Sequence, residues 1–459
     1  MAKKIAFFLA VILIIQFIPV PSASGNLSFS DLVASSAVLA EKDTGTILYQ
    51  FNMNARHPAD GLVKIMTLLL AAYAVENDVV SDNELITMTE AAWIGLSEDS
   101  STLGIEPGEE MTFIDLMYAA YLGNASEACN MIAIRIAGSI PAFVNMMNDQ
   151  VQEFGCTDTR FANAHGEYHS SQYTTAHDQF IIFSEAMRNA LFAEVSGTFR
   201  HVTESIDETE SRTISSSNYL INRNSRYFYR SCISGRDSAT FEGGYSLVAY
   251  AEEDGLSLVS VILGSNVHMF EDESTEIRSF SETLRLFQWG YTQFAWRDIL
   301  RTTDLLARVP VLHGSGADFV NARPDTPLTL LLENSIPVDE FERNIVIYSE
   351  RDEEPLVAPI SSGETLGEVV ITRNGVEYGR RTLVANTEVK LSGVEYMRGQ
   401  ISEMLSTSTA RNIILILVLL VVIYIALVIR YNVVRANRLR RIKNAKKDII
   451  RERHQNFRD

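Results

Sequence analysis

The 459-residue sequence predicts an α+β body, an antiparallel sheet packed with helices, followed by a small all-β domain and one C-terminal membrane-crossing helix. Three observations carry that prediction. Strand-like alternation and helix-like periodicity succeed one another between residues 33 and 265. From Leu306 to Leu391 only short β-rich runs broken by Pro, Gly and Asp occur. Ile413 to Ile429 is apolar throughout except for Tyr424.

A composition of 46% hydrophobic and 21% charged residues is that of a globular chain and excludes a disordered one. The N-terminus opens on Lys3 and Lys4, runs through the apolar stretch Ile5 to Ile15 and ends in small residues at 21–25. This is the pattern of a signal peptide, placed at 1–24, with an uncut N-terminal anchor as the alternative. In the run VASSAVLAEKDTGTILYQF (33–51), two β-rich stretches flank Asp43-Thr44-Gly45, which predicts a hairpin. Residues 62–76 are apolar nearly all round, as a helix at the centre of a domain must be.

Residues 113–138 repeat that character, with the polar interruption GNASE at 123–127 predicting a loop between two helices. Further helices are expected at 141–154 and 176–191. Strands follow at 245–252 and 256–263, split by Asp254-Gly255. The body is placed at 25–295, the all-β domain at 296–395, a polar linker at 396–411, the transmembrane helix at 412–434 and a basic tail at 435–459.

Arg430 to Asp459 carries eleven Lys/Arg against three Asp/Glu, which puts the tail in the cytoplasm under the positive-inside rule. Removing that segment and the two leader lysines from the formal −19 leaves about −29 on the extracytoplasmic part. So acidic a body argues against a nucleic-acid partner for the ectodomain, and the basic tail suits anionic headgroups or, as a sharper reading, a cytoplasmic or envelope protein partner or nucleic acid. Cys129, Cys156 and Cys232 are widely spaced and odd in number, giving neither a disulfide framework nor a zinc knuckle. His165 and His169 stand four apart but without an acidic HExxH pattern, so no metal and no cofactor are expected.

The stretch RHPADGLVKIMTLLLAA (56–72) resembles the first motif of the D-alanyl-D-alanine carboxypeptidases, the low-molecular-mass penicillin-binding proteins, PAS-x-x-K-x-MT. That resemblance implies a serine three residues before a lysine at a helix start, the amine taking the proton as the hydroxyl attacks. Here Gly61 stands three before Lys64, and the other register puts Asp60 at the serine position. No Ser, Thr or Cys occurs between Asn52 and Met66.

The family's S-x-N motif is matched by Asn124-Ala125-Ser126-Glu127, with amide and hydroxyl exchanged. Its K-T-G motif aligns with Arg236-Asp237-Ser238, keeping Thr240 and Gly244-Tyr245. There the carboxylate of Asp237 is expected to face an anionic peptide terminus. The run NAHGEYHSSQYTTAHD (163–178) is also similar to family segments.

The resemblance implies a β-lactamase/transpeptidase-like body. It assigns Lys64, Gly61, Asn124 and Ser126 to the catalytic positions and Arg236, Ser238 and Thr240 to substrate binding. Lys64 is either a vestigial base or paired with Asp60 four residues earlier, and Arg236 either a carboxylate clamp or surface charge. Two functions stay open. One is a non-catalytic homologue anchored in the cell membrane that binds a peptidoglycan stem peptide or a protein, and the other is an active carboxypeptidase with rearranged residues.

Overall fold

The computed structural model describes residues 32–203, 211–406 and 408–455, so the leader expected at 1–24 lies outside the described residues. The chain divides into two units, Met1–Arg297 with Thr329–Val338 and Asp298–Leu328 with Asp339–Asp459.

The first unit is built on five strands, β1 (Ser36–Glu41), β2 (Ile47–Phe51), β3 (Cys232–Thr240), β4 (Gly244–Glu253) and β5 (Leu256–Ser265). All pair antiparallel in the order β2-β1-β5-β4-β3. Alternate residues of one strand enter different cores, because strand side chains point to opposite faces. Val38, Val248 and Val261 join one cluster, and Leu39, Leu247 and Ile262 the other.

The first cluster is closed by α1 (Val63–Glu76), α2 (Phe113–Tyr121), α3 (Ser126–Ala137), α4 (Ile140–Glu153), α5 (Ala176–Ala186) and α6 (Ala190–Gly197). Helix α1 is buried from Val63 to Ala72, as its all-round apolarity requires. The polar interruption at 123–127 is the α2–α3 joint, and Thr112 caps α2 by accepting from the Asp115 N–H.

Two sequence expectations are corrected here. The single helix expected at 176–191 is two, because Asn189 stops the first and caps the second, accepting from the Phe192 N–H at 3.0 Å. The second cluster is closed by α7 (Arg278–Gln293), through Phe280, Leu286 and Phe287, where the sequence reading has no element.

The second unit holds β6 (Ala307–Pro310), β7 (Phe319–Pro324), β8 (Glu342–Ile347), β9 (Thr365–Arg373) and β10 (Val376–Ala385), in the antiparallel order β6-β7-β10-β9-β8. Asn374 and Gly375, both at positive φ, make the tight β9–β10 turn. Most of the stretch expected as a polar linker at 396–411 is instead helical, in α8 (Gly393–Ser406) and the start of α9 (Ser408–Gln455). Ser392 starts α8, its hydroxyl accepting from the Glu395 N–H at 3.3 Å, while Val394, Met397 and Ile401 recur at helical spacing between the polar residues. Within α9, Arg411–Asn444 is long and apolar enough to cross a membrane.

Candidate functional site

The turn Asp60–Leu62, which leads into α1, meets the α2–α3 loop and the edge strand β3. Gly61, Lys64, Asn124, Ser126, Arg236, Ser238 and Thr240 all lie on one of these segments or at the adjoining start of α1 or α3.

Lys64, the second residue of α1, is buried, and its ammonium donates to the carbonyl of His165. One turn on, Thr67 Oγ1 donates to the Ala164 carbonyl at 2.6 Å, so the segment 163–166 is fastened along α1. Burial first, and then the Arg236 guanidinium, lower the lysine pKa to about 8. Burial, with the lysine charge adding to it, lowers that of His165 to about 4.

The pairing of Lys64 with Asp60 does not form. Asp60 adopts a left-handed conformation (φ 41°) ahead of the helix and so does not lie on the helical face four residues before the lysine. Its Oδ2 instead accepts from Thr240 Oγ1 at 2.5 Å, which ties the entrance of α1 to β3. Oδ1 is buried without a hydrogen-bond partner, and burial holds this carboxyl above its ordinary range. A Cβ on Gly166, at φ 83°, would collide with the Asp60 backbone carbonyl, so that position requires glycine, and one on Gly243 would displace the Asp60 carboxylate.

Gly61 donates its N–H to Ser238 Oγ at 3.0 Å. A backbone N–H here is the kind of donor that an acyl-transfer site aims at a developing oxyanion, and it is already committed. A Cβ added at Gly61 would lie 2.9 Å from Ser238 Oγ, 3.2 Å from Ser238 Cβ and 3.7 Å from Arg236 Nη2. A side chain at position 61 would thus crowd Ser238 and reach ordinary van der Waals contact with Arg236.

Arg236 is 3% exposed, which corrects the expectation of a surface charge. Nε donates to the Gly61 carbonyl at 3.2 Å, Nη1 to the Tyr121 carbonyl and Nη2 to Asn124 Oδ1. The guanidinium also lies 5.4 Å over the Tyr121 ring. One side chain therefore bridges the entrance of α1, the end of α2 and the α2–α3 loop.

Asn124 supports this with a left-handed backbone (φ 57°), while Ser126, the first residue of α3, is buried and donates its N–H to the Ser101 carbonyl at 2.9 Å. Glu127 Oε1 accepts from the N–H groups of Leu103 and Ile105 and holds that loop against α3.

Asp237 does not face the cleft. Strand alternation puts Arg236, Ser238 and Thr240 on one face and Asp237 on the other, where Oδ1 accepts from Ser217 Oγ at 2.5 Å. Near Lys64 and Arg236, Cys129 is fully buried, and burial raises its thiol pKa, the wrong direction for a nucleophile. Sequence reasoning missed the carbonyl acceptors of Tyr121 and His165 and the Asp60–Thr240 bond. An arginine at a strand position whose flanks point into the body was the one signal for the first of these.

The sequence pattern of the D-alanyl-D-alanine carboxypeptidases of peptidase family S11 matches residues 23–267, more than half of the chain. The chain belongs to that family. Among relatives it is 25% identical over 362 residues to the D-alanyl-D-alanine carboxypeptidase DacF of Bacillus subtilis, covering 78% of this chain and 87% of that one. With the D-alanyl-D-alanine carboxypeptidase DacA of Haemophilus influenzae it shares 24% identity over 401 residues, 85% and 94% of the two chains.

The fold is that of the penicillin-binding proteins. It superposes on penicillin-binding protein 5 from Haemophilus influenzae with a TM-score of 0.56 at 22% identity, over 78% of this chain and 98% of that one. For a peptidoglycan synthesis regulatory factor from Streptococcus pneumoniae the values are 0.58 and 19%, over 78% and 100%.

Proposed function

We propose that this family member is a catalytically silent homologue, anchored by residues 412–434 with its basic tail in the cytoplasm, and that it serves the cell envelope as a binding module for a stem peptide or a protein. The observation carrying this reading is that glycine stands three residues before Lys64, with Ser238 crowding the place where a side chain on Gly61 would begin. Position 61 itself carries no hydroxyl or thiol to be acylated, and loss of the nucleophile in a comparable serine system costs about 10⁶ in turnover. The three guanidinium nitrogens are bonded to the protein's own acceptors, so a peptide carboxylate would have to displace those bonds to engage Arg236. This favours recognition by the outer surface over recognition in the old cleft.

The second reading is an active carboxypeptidase removing terminal D-alanine. It draws on the names of the relatives at 24–25% identity. Fluorescent penicillin separates the two. The full chain in detergent is expected to give no covalent, hydroxylamine-sensitive adduct, and Gly61→Ser alone is expected to give none, since the new side chain meets Ser238. An adduct on the natural protein would overturn the silent reading.

A further inference from the structure

On the α7 side of the sheet an open cavity of about 470 Å³ lies between the segment preceding β3 and the short ribbon of Val267–Met269 and Thr275–Ile277. That volume falls within the range of small-molecule sites. One wall is aromatic. Tyr219, 40% exposed, and the buried Tyr227 have ring centroids 6.2 Å apart at 33°, and both rest on Phe280 of α7.

Around these rings stand two amides and a hydroxyl, Asn222, Asn224 and Thr275. Arg226 adds the charge. Its guanidinium lies 5.0 Å over the Tyr227 ring and Nη2 donates to Tyr227 Oη at 2.9 Å, an oxygen that also accepts from the Ile277 N–H at 2.7 Å. The arginine is therefore oriented by the protein while most of its N–H groups stay available.

The charge setting is local. Residues 213–235 contain Arg223, Arg226 and Arg230 and no Asp or Glu, within a strongly acidic body. None of the three forms an ion pair with a described residue. Glu276 belongs to the ribbon wall but lies, by strand alternation, on the face opposite Thr275 and Ile277, paired across with His268. An exposed aromatic face suits the C–H face of a sugar ring, amides and a hydroxyl suit its ring substituents, and a planar fork suits a carboxylate or phosphate.

We propose that this cavity binds an anionic saccharide, its ring against Tyr219 and its carboxylate or phosphate on Arg226. The site is separate from the Gly61 cleft and stands whether or not that cleft is silent.

The test uses the full chain in phosphatidylcholine nanodiscs, titrated with N-acetylmuramic acid, N-acetylglucosamine 6-phosphate and neutral N-acetylglucosamine, and read by saturation-transfer NMR and calorimetry. At least one anionic sugar is expected to bind about tenfold or more tighter than the neutral one. The tighter of the two anions identifies carboxylate or phosphate as the natural group. Arg226→Gln is expected to abolish the preference, and Asn224→Asp, on an exposed rim position that tolerates substitution, to weaken the anions about tenfold or more. Equal binding of all three sugars, no saturable binding up to about 50 mM, or wild-type affinity in both folded variants would overturn the proposal.

Discussion

Replacing Arg236 by methionine tests how much of the cleft depends on one side chain. Methionine preserves much of the buried volume but donates no hydrogen bond, so the Gly61 and Tyr121 carbonyls and Asn124 Oδ1 lose their charged donor. Each buried acceptor left open costs about 1–3 kcal/mol, and relief from holding a guanidinium out of water returns part of the sum. The net expected loss is about 3–5 kcal/mol. At roughly 2 °C per kcal/mol for a unit of this size, that is a fall of about 6–10 °C in Tm. Trp93, Trp289 and Trp296 all lie in the first unit, so tryptophan fluorescence follows its melting in the full chain without reporting on the second. A fall of less than about 2 °C for both Arg236→Met and Arg236→Ala would mean that the guanidinium does not hold the three segments together.

Three further outcomes are expected. Gly61→Ala destabilises by about 1–3 kcal/mol through overpacking against Ser238, and Ser238→Gly in the same chain recovers part of that loss. Strict additivity in denaturant titrations would refute the contact. Lys64 titrates near pH 8 folded and 10.5 unfolded, so between those values the unfolded chain binds more protons and stability rises with pH by up to about 3 kcal/mol. Lys64→Met should remove that rise, and an identical pH profile for both proteins would refute it. Deleting residues 435–459 should leave the tryptophan melt unchanged and weaken co-sedimentation of the detergent-solubilised chain with phosphatidylserine vesicles, each basic residue near the surface contributing about 1 kcal/mol. Equal sedimentation would count against a lipid-facing tail.

Much of the fold was legible because periodicity is a local property. The all-round apolarity of 62–76, the GNASE joint and the Asp254-Gly255 hairpin each correspond to an observed element. Helix α7 was not read, because it buries only one side and its polar residues interrupt the apolar ones at short spacing. The linker continues α8, which a serine cap starts and in which apolar residues recur at helical spacing among the polar ones.

At the cleft, the residues singled out from the motifs come together in space, but the partners of their side chains were not legible. Lys64 lies 101 residues from the carbonyl it bonds and Arg236 lies 112 from Asn124, separations at which sequence spacing carries no geometric information. Asp60 illustrates the limit in a single residue. Its place four before Lys64 implied a helical pair, and one left-handed backbone angle sent its carboxylate to β3 instead.

The interlock of Gly61, Ser238 and Arg236 also constrains the paths open to descendants of this sequence. A lineage that regained serine at 61 would first pass through a crowded intermediate, and one that gave up Arg236 first would pass through a cleft with three open acceptors. Each of these two orders passes through a less stable intermediate, whereas a change at Ser238 first would relieve the crowding at position 61. Positions 61, 236 and 238 are therefore coupled, so that a change at any one of them alters what the other two can accommodate.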